Sequence, residues 1–246
     1  MDFTLNDDQQ ELKQAARAWL ADHFPLDRDW ENQDDRWGEI KEMGWLDVAE
    51  AGLGFVEEAL LLEEMGYVCY PGFYLGNVAS VPGDGDVATV DPTRGYHQVE
   101  ETPRFRAAAA AEALGVAQRA LDLGVEHAKT RVQFGKPIGT YQAVSHPLAQ
   151  TYTDVELARS LVYWAAWCVA EDEERAPMAA ASAKAFATEA AVAACERSIQ
   201  VHGGVGFTWE HPLHRFYKRA LWLEGFGRRP ADLRLEVAAT LLDGGE

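Results

Sequence analysis

Three side chains in one short stretch could together hold a phosphorylated ligand that carries a planar ring. The stretch is Thr130-Arg131-Val132-Gln133-Phe134-Gly135-Lys136-Pro137-Ile138-Gly139-Thr140-Tyr141-Gln142, set between two alanine-rich segments of helical period. Arg131 can fork two hydrogen bonds to a phosphate. Phe134 offers a flat apolar face. Gln142 can pair with an amide-like edge. As a plain connector the same stretch would plug Phe134 into the core and leave Arg131 in water, and two to eight polar residues would suffice for that task. A second stretch ends in Gly203-Gly204. Without Cβ atoms its amide groups can approach an anion closely, although glycines also simply end helices.

Acids with a reason to be unusual are few. Glu112 lies within Ala107-Ala108-Ala109-Ala110-Ala111-Glu112-Ala113-Leu114-Gly115, the most apolar surroundings of any carboxylate here. An acid buried there without a partner would be a stronger base than one in water. The competing expectation is a structural ion pair with an arginine. Glu224 precedes Gly225 near the end of the chain. His127 and His202 are read as surface or packing residues.

The elements that must position these groups read as helices. The chain has 246 residues, 48% of them hydrophobic, enough for a sizeable core. Asn6 can cap a first helix, with Gln9 three residues on and Asp7 and Asp8 at the positive end of the dipole. Residues 34–43 and 55–65 read as two further helices, the latter stopped at Gly66. Residues 105–129, 141–171, 179–202, 212–225 and 230–242 follow the helical period, and four of the longer ones are expected to form an antiparallel bundle. Residues 71–103 differ. Gly76, Pro82, Gly83, Gly85, Pro92 and Gly95 punctuate them, and only residues 87–90 and 96–99 are strand-like. Gly83-Asp84-Gly85 opens no helix and is set aside as a dinucleotide motif. The expected fold class is thus mainly all-α. The expected domains are an N-terminal helical segment 1–70, a short middle segment 71–103 and a helical bundle 104–246.

The net charge of -18 argues against nucleic acid. Any phosphate site must then be a local basic island. Two are expected, Lys129/Arg131/Lys136 and His214/Arg215/Lys218/Arg219/Arg228/Arg229. No run is long and apolar enough to span a membrane. The three cysteines, Cys69, Cys168 and Cys195, have no metal spacing and read as buried free thiols. A cytoplasmic location is expected from these features and from an N-terminus without a secretory pattern.

The Arg131 to Gln142 loop resembles the flavin-binding loop of acyl-CoA dehydrogenases. Ser198-Ile199-Gln200-Val201-His202-Gly203-Gly204 resembles the family segment that passes the flavin pyrophosphate, and residues 1–12 resemble its opening helix. The resemblance implies an acyl-CoA dehydrogenase-like helical bundle, FAD as cofactor and an acyl-CoA thioester as substrate. It implies that Arg131, Phe134, Gln142, Gln200, Gly203 and Gly204 hold the adenine and pyrophosphate end of a neighbour's flavin. Family members carry a β-barrel-like domain where this chain has about thirty residues, too few for a closed barrel. The middle segment is therefore a vestige. The expected role is a shortened subunit that completes the flavin site of a longer acyl-CoA dehydrogenase subunit, or failing that a self-dimer.

The family's proton-abstracting glutamate falls, on a gapless match, at Gly227. A second family option places it beside an arginine matched by Arg106, where Phe105 stands. Arg106 is the expected substrate-binding residue; Glu100 and Glu101 precede it, but no carboxylate falls on either family position. This subunit is thus not expected to supply the main base. Glu112 is the first candidate if it does, and Glu224, one turn early, the second. Two rivals are a scaffold turned to non-redox dehydratase or cyclase chemistry and a purely structural partner.

Overall fold

The computed structural model describes residues 5–48, 52–72, 74–79 and 101–243. Nine α-helices run along the described residues: α1 Asp7–His23, α2 Trp37–Glu42, α3 Phe55–Val68, α4 Tyr74–Ala79, α5 Pro103–Thr130, α6 Gln142–Ala170, α7 Ala176–His202, α8 Leu213–Gly225 and α9 Pro230–Asp243. A two-residue hairpin pairs β1 Val132–Gln133 with β2 Lys136–Pro137. Among the described residues no helix is long and apolar enough to cross a membrane. The expected strand-like runs 87–90 and 96–99 lie outside the described residues, as do Gly83, Gly85, Pro92 and Gly95.

Local chemistry explains the helix starts. The Asn6 side chain accepts from the Gln9 amide at 2.8 Å, and the Gln9 side chain accepts from the Asn6 amide at 3.1 Å, a reciprocal cap. Helix α5 begins two residues before the expected Phe105. Pro103 stands at its first turn, where its missing N–H costs nothing, and the Thr102 hydroxyl accepts from the Phe105 amide at 3.1 Å. Helix α2 is shorter than the expected 34–43. Helix α4 was not legible among the turn residues around it. All three cysteines are buried free thiols.

Helix α5 is the axis of the molecule, packed by α3, α6, α7 and α8. Its alanines 107–111, 113, 117 and 120 are buried, as are Ala179, Ala183, Ala187, Ala191 and Ala194 of α7. Small side chains at this spacing let helix backbones approach closely.

The expected stop at Gly66 is wrong for a physical reason. Helix α3 runs through Gly66 to Val68. A Cβ on Gly66 would stand 2.1 Å from the Glu112 carbonyl oxygen, and one on Gly115 would stand 1.9 Å from the Glu63 carbonyl oxygen. The two glycines are therefore where α3 and α5 cross backbone to backbone. Beside this contact α3 buries three acids. Glu63 is paired by Lys13 and Arg159 and accepts from the Tyr163 hydroxyl at 2.8 Å. Burial alone would raise its pKa, but the Lys13 and Arg159 charges outweigh burial and hold it below the usual carboxylate range. Glu64 pairs with Lys13 at 2.9 Å and with Arg17, and Glu58 pairs with Arg104. Burial raises the Glu58 pKa against the pull of Arg104.

Gly115→Ala should force α3 and α5 apart. The expected loss is the ~1–3 kcal/mol of an overpacked core, a fall in melting temperature of roughly 2–12 °C for a chain of this size. Gly38→Ala is the comparison, because a Cβ there meets nothing within 4 Å. It should leave the melt unchanged or raise it slightly. Thermal melts of both variants by circular dichroism decide the matter, and equal melts would remove the crossing argument.

Candidate functional site

The loop after α5 folds as a tight hairpin whose two central residues are Phe134 and Gly135, with φ of +51° and +81°. Positive φ at both positions is the geometry of a two-residue hairpin turn that suits Asn or Gly far better than Phe. The turn holds Phe134 off the protein, 92% exposed, with only an edge contact to Tyr141 at 6.4 Å between ring centroids. A phenylalanine kept at a disfavoured φ and out of the core is a feature that packing does not explain. The connector reading, with Phe134 plugging the core, does not describe it. Gly139 brings the loop back against α5, since a Cβ there would be 3.0 Å from the Ala128 carbonyl oxygen.

The sequence places the second stretch seventy residues away, and the fold brings it alongside. His127, one turn before Arg131, stacks on His202 with ring centroids 4.2 Å apart, and His211 packs on His202 at 4.5 Å. Helix α7 ends at His202, and Gly203 follows with φ +65°. A Cβ on Gly203 or Gly204 would meet nothing within 4 Å, so these glycines are not there to admit another part of the chain. That open face is compatible with a phosphate drawn close to the backbone. Arg131, Phe134, Gln142, Gln200, Gly203 and Gly204 are all exposed at this one end of the bundle. Burial and the neighbouring imidazoles lower the His211 pKa to about 4, and burial followed by His202 and Arg131 lowers that of His127. Protonation of His127 and His211 is therefore disfavoured, and the basic side chains at this end are Lys129, Arg131 and Lys136.

The other expected basic island is not one. Arg219 is buried and paired with Glu112, Arg215 pairs with Glu31 at 2.6 Å, and Lys218 lies over the Trp209 ring at 4.5 Å. Arg228 pairs with Glu236, and Arg229 with Asp232 at 3.4 Å. His214 packs edge-on against Trp209 at 4.7 Å between ring centroids, so all six residues of this run make contacts within the chain.

The candidate acids are held apart from each other. Glu112 is 4% exposed, and its alanine-rich surroundings include a cation from α8. Arg219 donates one hydrogen bond to Glu112 and another, at 2.9 Å, to the Tyr70 carbonyl oxygen. Of the two readings of Glu112, the structural ion pair is the one present. Glu224 sits on α8 facing Glu189 and Glu196 of α7. Partial burial raises its pKa, and those two like charges raise it further.

Arg106 has two acids in contact with it, one of them Glu101, which precedes it in the chain. Its guanidinium donates to Glu236 of α9 at 2.6 Å and to Glu101 at 3.2 Å. Arg106 is 6% exposed, and its Nε is buried without a hydrogen-bond partner among the described residues. The second Glu101 oxygen accepts from the Arg228 amide. That oxygen lies where a side chain on Gly227 would start: a Cβ on Gly227 would be 2.0 Å from it. From the other side Lys184, 1% exposed, donates to the Phe226 and Arg228 carbonyl oxygens at 2.6 and 2.8 Å. Burial lowers the Lys184 pKa to about 8. The turn 226–228 is thus held by an ammonium on its carbonyls and a carboxylate on its amide. Sequence reasoning named Glu101 only in passing and missed Lys184 and Glu236. A glycine at the position matched to an acid was the available signal.

Comparison with known proteins agrees with the geometry. The acyl-CoA dehydrogenase N-terminal domain model matches residues 6–82, and the acyl-CoA dehydrogenase C-terminal domain model matches residues 94–227. No middle-domain match lies between them. Acyl-CoA dehydrogenase IpdE2 of Mycobacterium tuberculosis is 44% identical over 146 residues, covering 54% of this chain and 44% of that protein. Probable acyl-CoA dehydrogenase YngJ of Bacillus subtilis is 41% identical over 155 residues, covering 62% of this chain and 40% of that protein. The chain therefore spans less than half the length of these relatives. A chain of the ChsE4-ChsE5 complex from Mycobacterium tuberculosis superposes with a TM-score of 0.80 at 21% identity, covering 99% of both chains, a likeness of fold. Butyryl-CoA dehydrogenase from Megasphaera elsdenii is 34% identical at a TM-score of 0.55, over 57% of this chain and 36% of that one. With one family model spanning residues 94–227 and another residues 6–82, the chain is a shortened member of the acyl-CoA dehydrogenase family.

Proposed function

We propose that the chain is a subunit of an FAD-dependent dehydrogenase that introduces the α,β double bond of an acyl-CoA thioester, and that it completes the flavin site of a longer partner subunit. The observation that carries this reading is the end of the bundle formed by Arg131, Phe134, Gln142, Gln200, Gly203 and Gly204. Its side chains are exposed, its aromatic is held outward on a strained turn, and its glycines face open space. A chain with no middle-domain match has no evident wall of its own for a flavin ring, so this end serves a neighbour. FAD, once bound, supplies the hydride acceptor. Arg131 binds phosphate through its fork, Phe134 covers a ring face, and Gln142 and Gln200 meet polar edges of the nucleotide. The Gly203 and Gly204 backbone admits the pyrophosphate.

Exposed apolar side chains support an assembly. Leu157, Leu235, Leu241 and Leu242 are 51%, 71%, 64% and 80% exposed, and Leu161, Phe186, Val237 and Leu241 line an open groove between α6, α7 and α9. Apolar surface of this kind is usually covered in an oligomer. A relative in fold is described as a ChsE4-ChsE5 complex, which makes a partner of the same family the natural choice here.

Three measurements test the reading. Light scattering should show a dimer or a larger assembly, and a stable monomer in the presence of a longer family member would refute it. Titration of the isolated chain with FAD, followed by absorbance, should show weak binding or none. The complex with its longer partner should be yellow. Arg131→Ala in that complex should weaken FAD binding by about 10–100-fold, the equivalent of losing a charge-assisted contact of ~1.5–3 kcal/mol. A chain purified alone with a full complement of flavin would contradict the shared site.

Glu112 should prove structural. Glu112→Gln removes a buried charge opposite Arg219, and a stability loss of about 1–3 kcal/mol is expected in urea melts. Turnover per bound flavin in the complex should stay within about threefold of the parent, far from the ~10²–10⁴-fold loss of a true base. The same holds for Glu224→Gln. A collapse of turnover with intact flavin content would return either residue to the role of base.

A further inference from the structure

The segment that joins α7 to α8 folds back on the end of α7 and is held there by histidines. Gly206 is buried against the last turn of α7: a Cβ on it would stand 2.9 Å from the His202 Cβ and 2.9 Å from the Ile199 carbonyl oxygen. The Thr208 amide donates to the Val205 carbonyl oxygen at 3.1 Å, and the His211 amide to the Thr208 carbonyl oxygen at 3.3 Å. At the far end of the segment the Leu213 amide donates to Nδ1 of His211 at 3.3 Å. Leu213 is the first residue of α8, so the imidazole satisfies an N–H that the helix itself cannot. An N–H can donate only to a ring nitrogen that carries no proton. His211 therefore holds the start of α8 as a neutral ring. The same ring packs on His202 of α7, which stacks on His127 of α5.

Protonation would undo this arrangement twice. It would take the lone pair that the Leu213 amide uses. It would also put a positive charge at the positive end of α8, whose first turn has no acid to balance it. The groups that act on His211 are the imidazoles of His202, His127 and His214, from α7, α5 and α8. Behind them stand Arg131 beside His127, and Lys218 and Arg215 beside His214, with Glu31 as the opposing acid there. Glu210, next in the chain, engages its carboxylate with Thr208 and its own amide. Burial is the largest cause that lowers the His211 pKa to about 4 from its ordinary 6.5.

We propose that His211 is a positioning residue: its neutral imidazole latches the Gly203-Gly204 segment between α7 and α8, and acid opens the latch, so that a nucleotide is gripped at this end near neutral pH and released in acid. The latch stands on the chain's own geometry, while its effect on a nucleotide rests on the proposed function. An imidazole whose folded pKa is depressed contributes its stability in full above pH 6.5 and loses it as pH falls toward 4. The ratio of open to closed latch should thus rise on the order of 30-fold from about pH 7.5 to about pH 5.

Hydrogen exchange read by mass spectrometry tests the latch in the isolated chain. After correction for intrinsic exchange rates, peptides spanning 203–216 should lose protection by roughly 10–30-fold from about pH 7.5 to about pH 5, while peptides from α3 change by less than about threefold. In His211→Asn the new amide oxygen can take the Leu213 N–H without titrating, so the loss should shrink to about threefold or less. In His211→Ala the segment should be open at both pH values. Equal protection of the parent at both pH values, or a loss in His211→Asn as large as in the parent, would overturn the latch.

Flavin release tests the grip. FAD should leave the complex with the longer subunit several-fold faster at the lower pH, and His211→Asn should remove most of that difference. Equal acceleration in both complexes would overturn the claim that the latch grips a nucleotide. A complex that takes up no FAD at neutral pH would count against the proposed function, and the latch would then stand or fall by exchange.

Discussion

The contact between Gly66 of α3 and Gly115 of α5 governs the rest of the structure. At this crossing each glycine lacks the Cβ that would strike the other helix's carbonyl oxygen. Backbones that touch leave no room between them, so the side chains on either flank must leave the crossing sideways. On α3 that sends Glu63 and Glu64 toward α1 and α6, where Lys13, Arg17 and Arg159 meet them. On α5 it sends Glu112 toward α8 and Arg219. A buried carboxylate without a partner would cost several kcal/mol, so the crossing in effect dictates where α1, α6 and α8 must present cations. The hydrophobic effect gathers these helices, and the paired charges fix their order and register.

The helices themselves were legible in the sequence because their causes are local. Asn6 and Gln9 are three residues apart, and so are Thr102 and Phe105. The alanine-rich stretches needed only their period to be read. What escaped were features whose cause lies far along the chain. Gly66 looked like a stop because nothing nearby shows that the Glu112 carbonyl of α5 lies against it. Glu112 looked like a carboxylate in an apolar setting because Arg219 is 107 residues away. The basic run from His214 to Arg229 looked like a phosphate site because the acids that meet it, Glu31, Glu112 and Glu236, are on three other elements. Arg131, Phe134 and Gly203-Gly204 could be singled out by type, since exposure is the default for a loop. The outward hold on Phe134 by a positive φ could not, because a Phe-Gly pair does not announce that turn.

Helix α5 also sets the distance between the two chemically interesting regions. It has 28 residues, which at 1.5 Å of rise per residue places its ends roughly 40 Å apart. Arg106 stands in its first turn and Arg131 directly after its last. A ligand held at the Arg131 end and a thioester reacting beside Arg106 would therefore belong to different sites, each completed by a different neighbour.

The state of those ends follows from one physical rule applied twice. A guanidinium leaves water only when hydrogen-bond acceptors replace it. Arg106 is buried, and Glu101 and Glu236 are the carboxylates that meet it. Arg131 stays in water, so its fork costs nothing to keep available. The exposed end is under no such demand, because water solvates Arg131. Closure at Arg106 and openness at Arg131 are thus the same electrostatic constraint, met at one end by the chain's own carboxylates and left at the other for a partner to satisfy.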